Sequence, residues 1–129
     1  MKYILSMLLI LSSTPASSET CTDTTGWEEE IDCLNNTLDV AESDVERIYK
    51  RVITGIKEDL TSEDKPILKR AKEMLDLVIK SQEMWSSYRN HVCDNLLEVA
   101  YRGGSYAGQS QLRCRIHFAE ERLKWLSVY

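Results

Sequence analysis

The 129-residue chain carries 21 acidic and 16 basic residues, a net charge of −5, with four cysteines and two histidines. That balance excludes the basic face that nucleic-acid binding requires, and the length suits one domain rather than two. Neither histidine has a recognisable serine, cysteine or acid arrangement around it, so the chain is expected not to be an enzyme.

The first stretch, "MKYILSMLLILSSTPASSET", places Lys2 before an apolar run from Tyr3 to Leu11, then small residues. That is the layout of a secretory signal peptide. The run is about half of the roughly 20 residues that a membrane span needs. Cleavage is expected after Ala16 or Ser18, so residues 1–18 are assigned to the signal and 19–129 to a single domain. Ser18, Glu19 and Thr20 make a poor lipoprotein signal before Cys21. A soluble periplasmic or secreted protein is expected, with no membrane span in the mature chain. Removing residues 1–18 leaves 111 residues with 15 basic and 21 acidic side chains, a charge of −6.

The next segment, "TTGWEEEIDC", suits a short capped helical turn, with its acids near the positive end of the helix dipole. From Leu34 the apolar positions run through Leu38, Ala41, Val45, Ile48, Val52 and Ile56 to Leu60. Steps of three and four mark one stripe of an amphipathic helix, which Gly55 weakens late in its length. The stripe ends at "LTSEDKP", where Ser62 or Asp64 can cap the following helix and Pro66 fits its first turn. A second stripe runs Leu68, Ala71, Leu75, Val78, Gln82, Trp85, Arg89, Val92, Leu96 and Val99. It predicts a helix of about 50 Å at roughly 1.5 Å per residue. A third stripe takes Leu112, Ile116, Ala119, Leu123 and Leu126. Nothing reads as a strand. The expected fold is all-α: a long antiparallel helical hairpin with a third, C-terminal helix packed along it.

All four cysteines, Cys21, Cys33, Cys93 and Cys114, lie in the exported part. An even number in a small exported chain predicts two disulfides. Spacings of 12, 60 and 21 positions contain no close pair of the kind zinc sites use, so no metal or cofactor is expected. Connectivity stays open at this level. A hairpin turning near Ser62 brings Cys33 and Cys93 to similar heights, whereas Cys21–Cys33 with Cys93–Cys114 closes two short loops.

Trp85 lies on the second stripe and reads as a core anchor. Arg89 shares that stripe, where a buried charge must be paired; Glu29, Glu30 and Glu121 are its candidate partners. Arg122 is read the same way. The stretch "YRGGSYAG" at 101–108 is different. A helix of this length needs one glycine, Gly103, as a C-cap, and Gly104, Ser105, Tyr106 and Gly108 exceed that need. A glycine loop tied at both ends by a disulfide is a partly preorganised projection, and Tyr101, Arg102 and Tyr106 are residue types enriched at interface hot spots. The expected partner-binding set is therefore Tyr101, Arg102, Gly103, Gly104, Ser105 and Tyr106.

The ordered set Trp85, Tyr88, Arg89, Cys93, Gly103-Gly104-Ser105, Cys114 and Arg122 resembles the lysozyme inhibitor LprI-like family of small exported bacterial proteins. Cys21, Cys33, Glu29, Ala41, Asp44 and Tyr49 extend the resemblance over nearly all of the mature chain. It departs where Val45-Glu46 replaces the family's Leu-Asn and Ala119 its threonine, positions that touch helix packing and capping more than the loop. The resemblance implies the sequence-local pairing, Cys21–Cys33 and Cys93–Cys114. It also makes Glu29, Trp85, Arg89 and Arg122 members of a structural motif and implies a protein partner, a basic lysozyme. The resulting expectation is an exported binding protein that inhibits a lysozyme-like cell-wall hydrolase, with the 101–108 loop occluding its cleft. The alternative is an immunity, regulatory or structural protein for another envelope partner.

Overall fold

The computed structural model describes residues 21–102, 104 and 106–129. The expected signal peptide lies outside them, as do Gly103 and Ser105. Four α-helices follow in order: α1 (Trp27–Asp59), α2 (Lys65–Asn90), α3 (Leu97–Tyr101) and α4 (Ala107–Leu126), with a π-helical segment, His91–Leu96, joining α2 to α3 without a break. The described residues contain no strand.

The hairpin turn forms where the sequence places it. Asp64 caps α2, its side chain accepting the Ile67 N–H at 3.2 Å, with Pro66 in the first turn. The Ser62 hydroxyl accepts the Asp64 N–H at 3.2 Å. The "TTGWEEEIDC" segment, by contrast, is no separate turn: α1 begins at Trp27 and runs unbroken to Asp59. The Glu29 carboxylate accepts the Thr25 hydroxyl at 2.6 Å and the Thr25 N–H at 3.1 Å. These bonds fasten the chain entering α1 and hold the Glu29 pKa below its usual value, the hydroxyl contributing most.

Three apolar layers follow one another along α1. Leu34 and Leu38 meet Cys21 and Ile116; Ala41 and Val45 meet Ala119 and Leu126; Ile56 meets Ala71 and Val78. The order shows that α4 runs parallel to α1 and antiparallel to α2. At 20 residues, about 30 Å, α4 covers only part of the 33-residue α1. Beyond Leu126 the hairpin stands as two helices, with an open groove of about 790 Å³ over Val52, Ile56, Ala71 and Met74. Gly55 borders this groove inside α1, and a Cβ added there meets nothing within 4 Å. Gly55→Ala is therefore expected to stabilise the fold by about 1 kcal/mol, read from the denaturation midpoint; a lowered midpoint would contradict an unstrained helix at this position.

The second stripe holds only as far as Val92. Leu96 and Val99 are 57% and 70% exposed, while Cys93 is fully buried. The π segment is the cause: its i→i+5 bonding takes in an extra residue and rotates the following side chains off the stripe. Cys93, four residues after Arg89, keeps the inward face and meets α4. The disulfides are Cys21–Cys33 and Cys93–Cys114, with Cα separations of 5.7 and 5.5 Å. The Cys33–Cys93 alternative rested on an equal-count register about Ser62, which would set residue 35 opposite Arg89. The helices are staggered instead, and Arg89 meets Glu42.

Candidate functional site

Trp85 and the arginines around it tie the three long helices together. The Trp85 indole N–H donates to the Phe118 carbonyl at 3.2 Å, and its ring packs against the Ala41–Val45–Ala119 layer. The Arg89 guanidinium lies 4.8 Å above that ring and that of Arg122 5.9 Å from it. Arg89 pairs with Glu42 at 2.9 Å, so none of Glu29, Glu30 and Glu121 is its partner. Burial lowers its pKa, and Glu42 opposes that shift. Arg122, expected in an ion pair, instead donates to neutral groups, Gln82 and Ser81, both at 2.9 Å. Glu29 is exposed and acts locally at the start of α1. Every buried side-chain polar atom among the described residues has a partner.

Nearer the loop, the ion pairs become a clamp. Arg115 grips Asp94 through two bonds of 2.9 and 2.5 Å and also reaches Glu42 at 3.5 Å. The Asp94 bonds are the main cause raising the Arg115 pKa. Gln111 donates to the Asp94 carbonyl at 3.1 Å and the Glu98 carboxylate at 3.3 Å. Across the bundle, Glu30 binds Arg113 at 2.6 Å and Gln109 at 3.1 Å, which places the first turn of α1 beside the start of α4. The Cys93–Cys114 bridge adds a covalent tie between the π segment and α4.

On this stem stands a connection shorter than expected. Tyr101 still belongs to α3, and Ala107 and Gly108 already belong to α4, so the loop proper is 102–106 rather than 101–108. Three 2.9 Å backbone bonds fold it: Arg102 N–H to Glu98, Gly104 N–H to Tyr101 and Ala107 N–H to Gly104. The left-handed residue ending α3 is Arg102, at φ 46° and ψ 44°, where Gly103 was expected to provide the cap. An L-residue there costs roughly 1–2 kcal/mol. Gly104 sits in a tight place, where an added Cβ would approach the Tyr101 carbonyl to 3.1 Å. Tyr101 is 46% and Tyr106 70% exposed, and Arg102 is exposed as well. Among the expected partner-binding residues, Tyr101, Arg102, Gly104 and Tyr106 thus share this end; Gly103 and Ser105 are outside the described residues.

Trp27 joins them and was missed in the sequence. It is 66% exposed in the first turn of α1, one turn before Glu30. Its position seven before Leu34 puts it in register with the buried stripe. Opposite it, however, α4 offers Gln109 and Arg113 rather than an apolar layer. The third stripe begins only at Leu112, and that late start is the signal that could have found it.

Charge is also unevenly spread. The layer of Val45, Trp85 and Ala119 divides the described chain into two halves. The loop half (21–46 and 81–118) holds twelve acidic and four basic residues; the opposite half (47–80 and 119–129) holds eight acidic and eleven basic. Residues 21–46 contain nine acids and no lysine or arginine. Three of the four basic residues in the loop half, Arg89, Arg113 and Arg115, are held in inter-helix pairs.

Among the described residues no group of His, Cys, Asp and Glu side chains could hold a metal ion, and no helix is long and apolar enough to cross a membrane. All four cysteines are oxidised. The loop end presents Trp27, Tyr101, Tyr106 and Arg102 on a braced, charge-polarised helical bundle. The model of the family described as "Lysozyme inhibitor LprI" matches residues 21–126, and the chain belongs to that family. No curated protein and no solved structure matches the chain.

Proposed function

We propose that this protein is exported and inhibits a lysozyme-like cell-wall hydrolase by inserting the 102–106 loop into its substrate cleft. The observation that carries the reading is Arg102, an exposed arginine in a left-handed conformation on a stem braced by a disulfide and an ion-pair clamp. Backbone strain of this kind is retained where surrounding structure enforces it, and it clusters at functional sites. Family membership supplies the class of target.

In this reading the acidic loop half steers the molecule towards a basic enzyme. The Arg102 guanidinium then engages the carboxylate pair that such a hydrolase uses to cleave its glycosidic bond. Tyr106 and Ser105 supply hydroxyls to the sugar-binding subsites. Tyr101 and Trp27 flank the loop as aromatic contacts. Because the stem is already ordered, little conformational entropy is lost on binding.

A triple variant, Arg102→Ala with Ser105→Ala and Tyr106→Ala, tests the mechanism. Helix content by circular dichroism should stay unchanged and inhibition should fall by about 100-fold or more, as for loss of a hot-spot cluster. A folded triple variant that inhibits fully would rule out the loop. If the wild-type protein captures a different envelope protein and leaves lysozyme untouched, the binding role stands with another target.

A further inference from the structure

A second surface lies on the flank of the bundle, away from the loop. Leu77, Met84 and Tyr88 of α2 are 67%, 63% and 62% exposed, and Trp125 of α4 is 65% exposed. The spacings of seven and four put the α2 residues on one helix face. Tyr88 meets Phe118 of α4 edge to face at 5.7 Å. The bonds from Arg122 to Ser81 and Gln82 set Trp125 one turn further along, level with Leu77. His91 extends the strip, bordering a shallow depression with Met84 and Tyr88. Four large apolar side chains exposed on one flank of a small domain mark an interaction surface.

We infer that this strip pairs two copies of the chain side by side and antiparallel, about a two-fold axis near Met84. Two features of the chain select that occupant. Leu77 and His91 lie seven residues to either side of Met84, so a two-fold axis there sets Leu77 of each copy against His91 of the other and Met84 against Met84. Such an isologous contact closes on itself and leaves no strip exposed. The second feature is the charge polarity described above. Antiparallel packing sets the acidic half of one copy against the net-basic half of the other, whereas parallel packing opposes two acidic halves. The loops then point from opposite ends of the dimer, both uncovered, so pairing makes the molecule bivalent without using the loop.

Sedimentation equilibrium of the oxidised protein, with Met84→Glu and Tyr88→Lys compared, tests the pairing, because the two-fold axis sets position 88 of each copy against Lys80 of the other. Wild type is expected to dimerise at about 100 μM chain, and each variant to raise the dissociation constant by about 100-fold, as for an unpaired charge placed in an apolar contact. Raising salt from about 0.05 to about 0.3 M should weaken the wild-type dimer several-fold as screening tightens. A nitroxide on Lys72→Cys measures orientation, because twenty-four residues of helix separate the two labels in an antiparallel pair. The expected label separation is about 36 Å. A wild-type protein monomeric at that concentration, a dimer indifferent to both variants, or labels closer than about 20 Å would each overturn the proposal. None of these outcomes depends on lysozyme inhibition.

Discussion

Replacing Cys93 and Cys114 together by alanine is expected to lower the unfolding free energy by about 3 kcal/mol, the chain-entropy value for a bridge of this span. The bridge closes a separation of 21 residues that contains α3 and the whole 102–106 loop. Alanine is the better replacement than serine, because Cys93 is fully buried and a hydroxyl there would need a partner. The Arg115–Asp94 pair and the Gln111 bonds remain to hold α4 against the π segment. They are partly exposed, and pairs of that kind contribute little individually. Inhibition should therefore fall along with stability, because the loop loses the covalent part of its stem. Guanidinium unfolding followed by circular dichroism reads the first effect and a lysis assay the second. A loss below about 1 kcal/mol would mean that the ion-pair clamp alone fixes the stem.

Arg102→Gly is expected to have two effects of opposite sign. Glycine adopts the left-handed conformation at φ 46° without the Cβ clash. The variant should therefore be more stable by about 1 kcal/mol, a little less than the full strain because glycine also gains freedom in the unfolded chain. Inhibition should meanwhile fall at least about 10-fold, since the guanidinium is lost from the contact. Arg102→Ala separates the two causes: it removes the guanidinium and keeps the strain, so inhibition falls with no gain in stability. An Arg102→Gly protein that is stabilised and still inhibits fully would assign the arginine no part in binding.

The helices were legible because their stripes keep the three-and-four step through Leu60, Val92 and Leu126, and the first interhelix turn because Asp64 and Pro66 carry its chemistry. The π segment was not, since no residue type encodes an added residue in a helical turn. Its effect shows only in the fold, where Leu96 and Val99 continue the stripe in sequence and yet are exposed. The Arg89–Glu42 pair was missed for a related reason. Long side chains join whatever the stagger of the helices brings within reach, and counting outward from Ser62 does not give that stagger. At the loop, the sequence identified Tyr101, Arg102 and Tyr106 but assigned the cap to a glycine, because propensity favours glycine in the left-handed region. The exposure of Trp27 followed from what lies opposite it on α4, which a single stripe does not show.

Inhibition through the loop end is read in a cell-wall lysis assay. Oxidised protein comprising residues 19–129 is titrated against a basic c-type lysozyme at low and at moderate salt. Saturable, near-stoichiometric inhibition that weakens as salt rises is expected, as for an acidic loop half steering the approach. Undiminished lysis at a micromolar excess of the folded protein would contradict it.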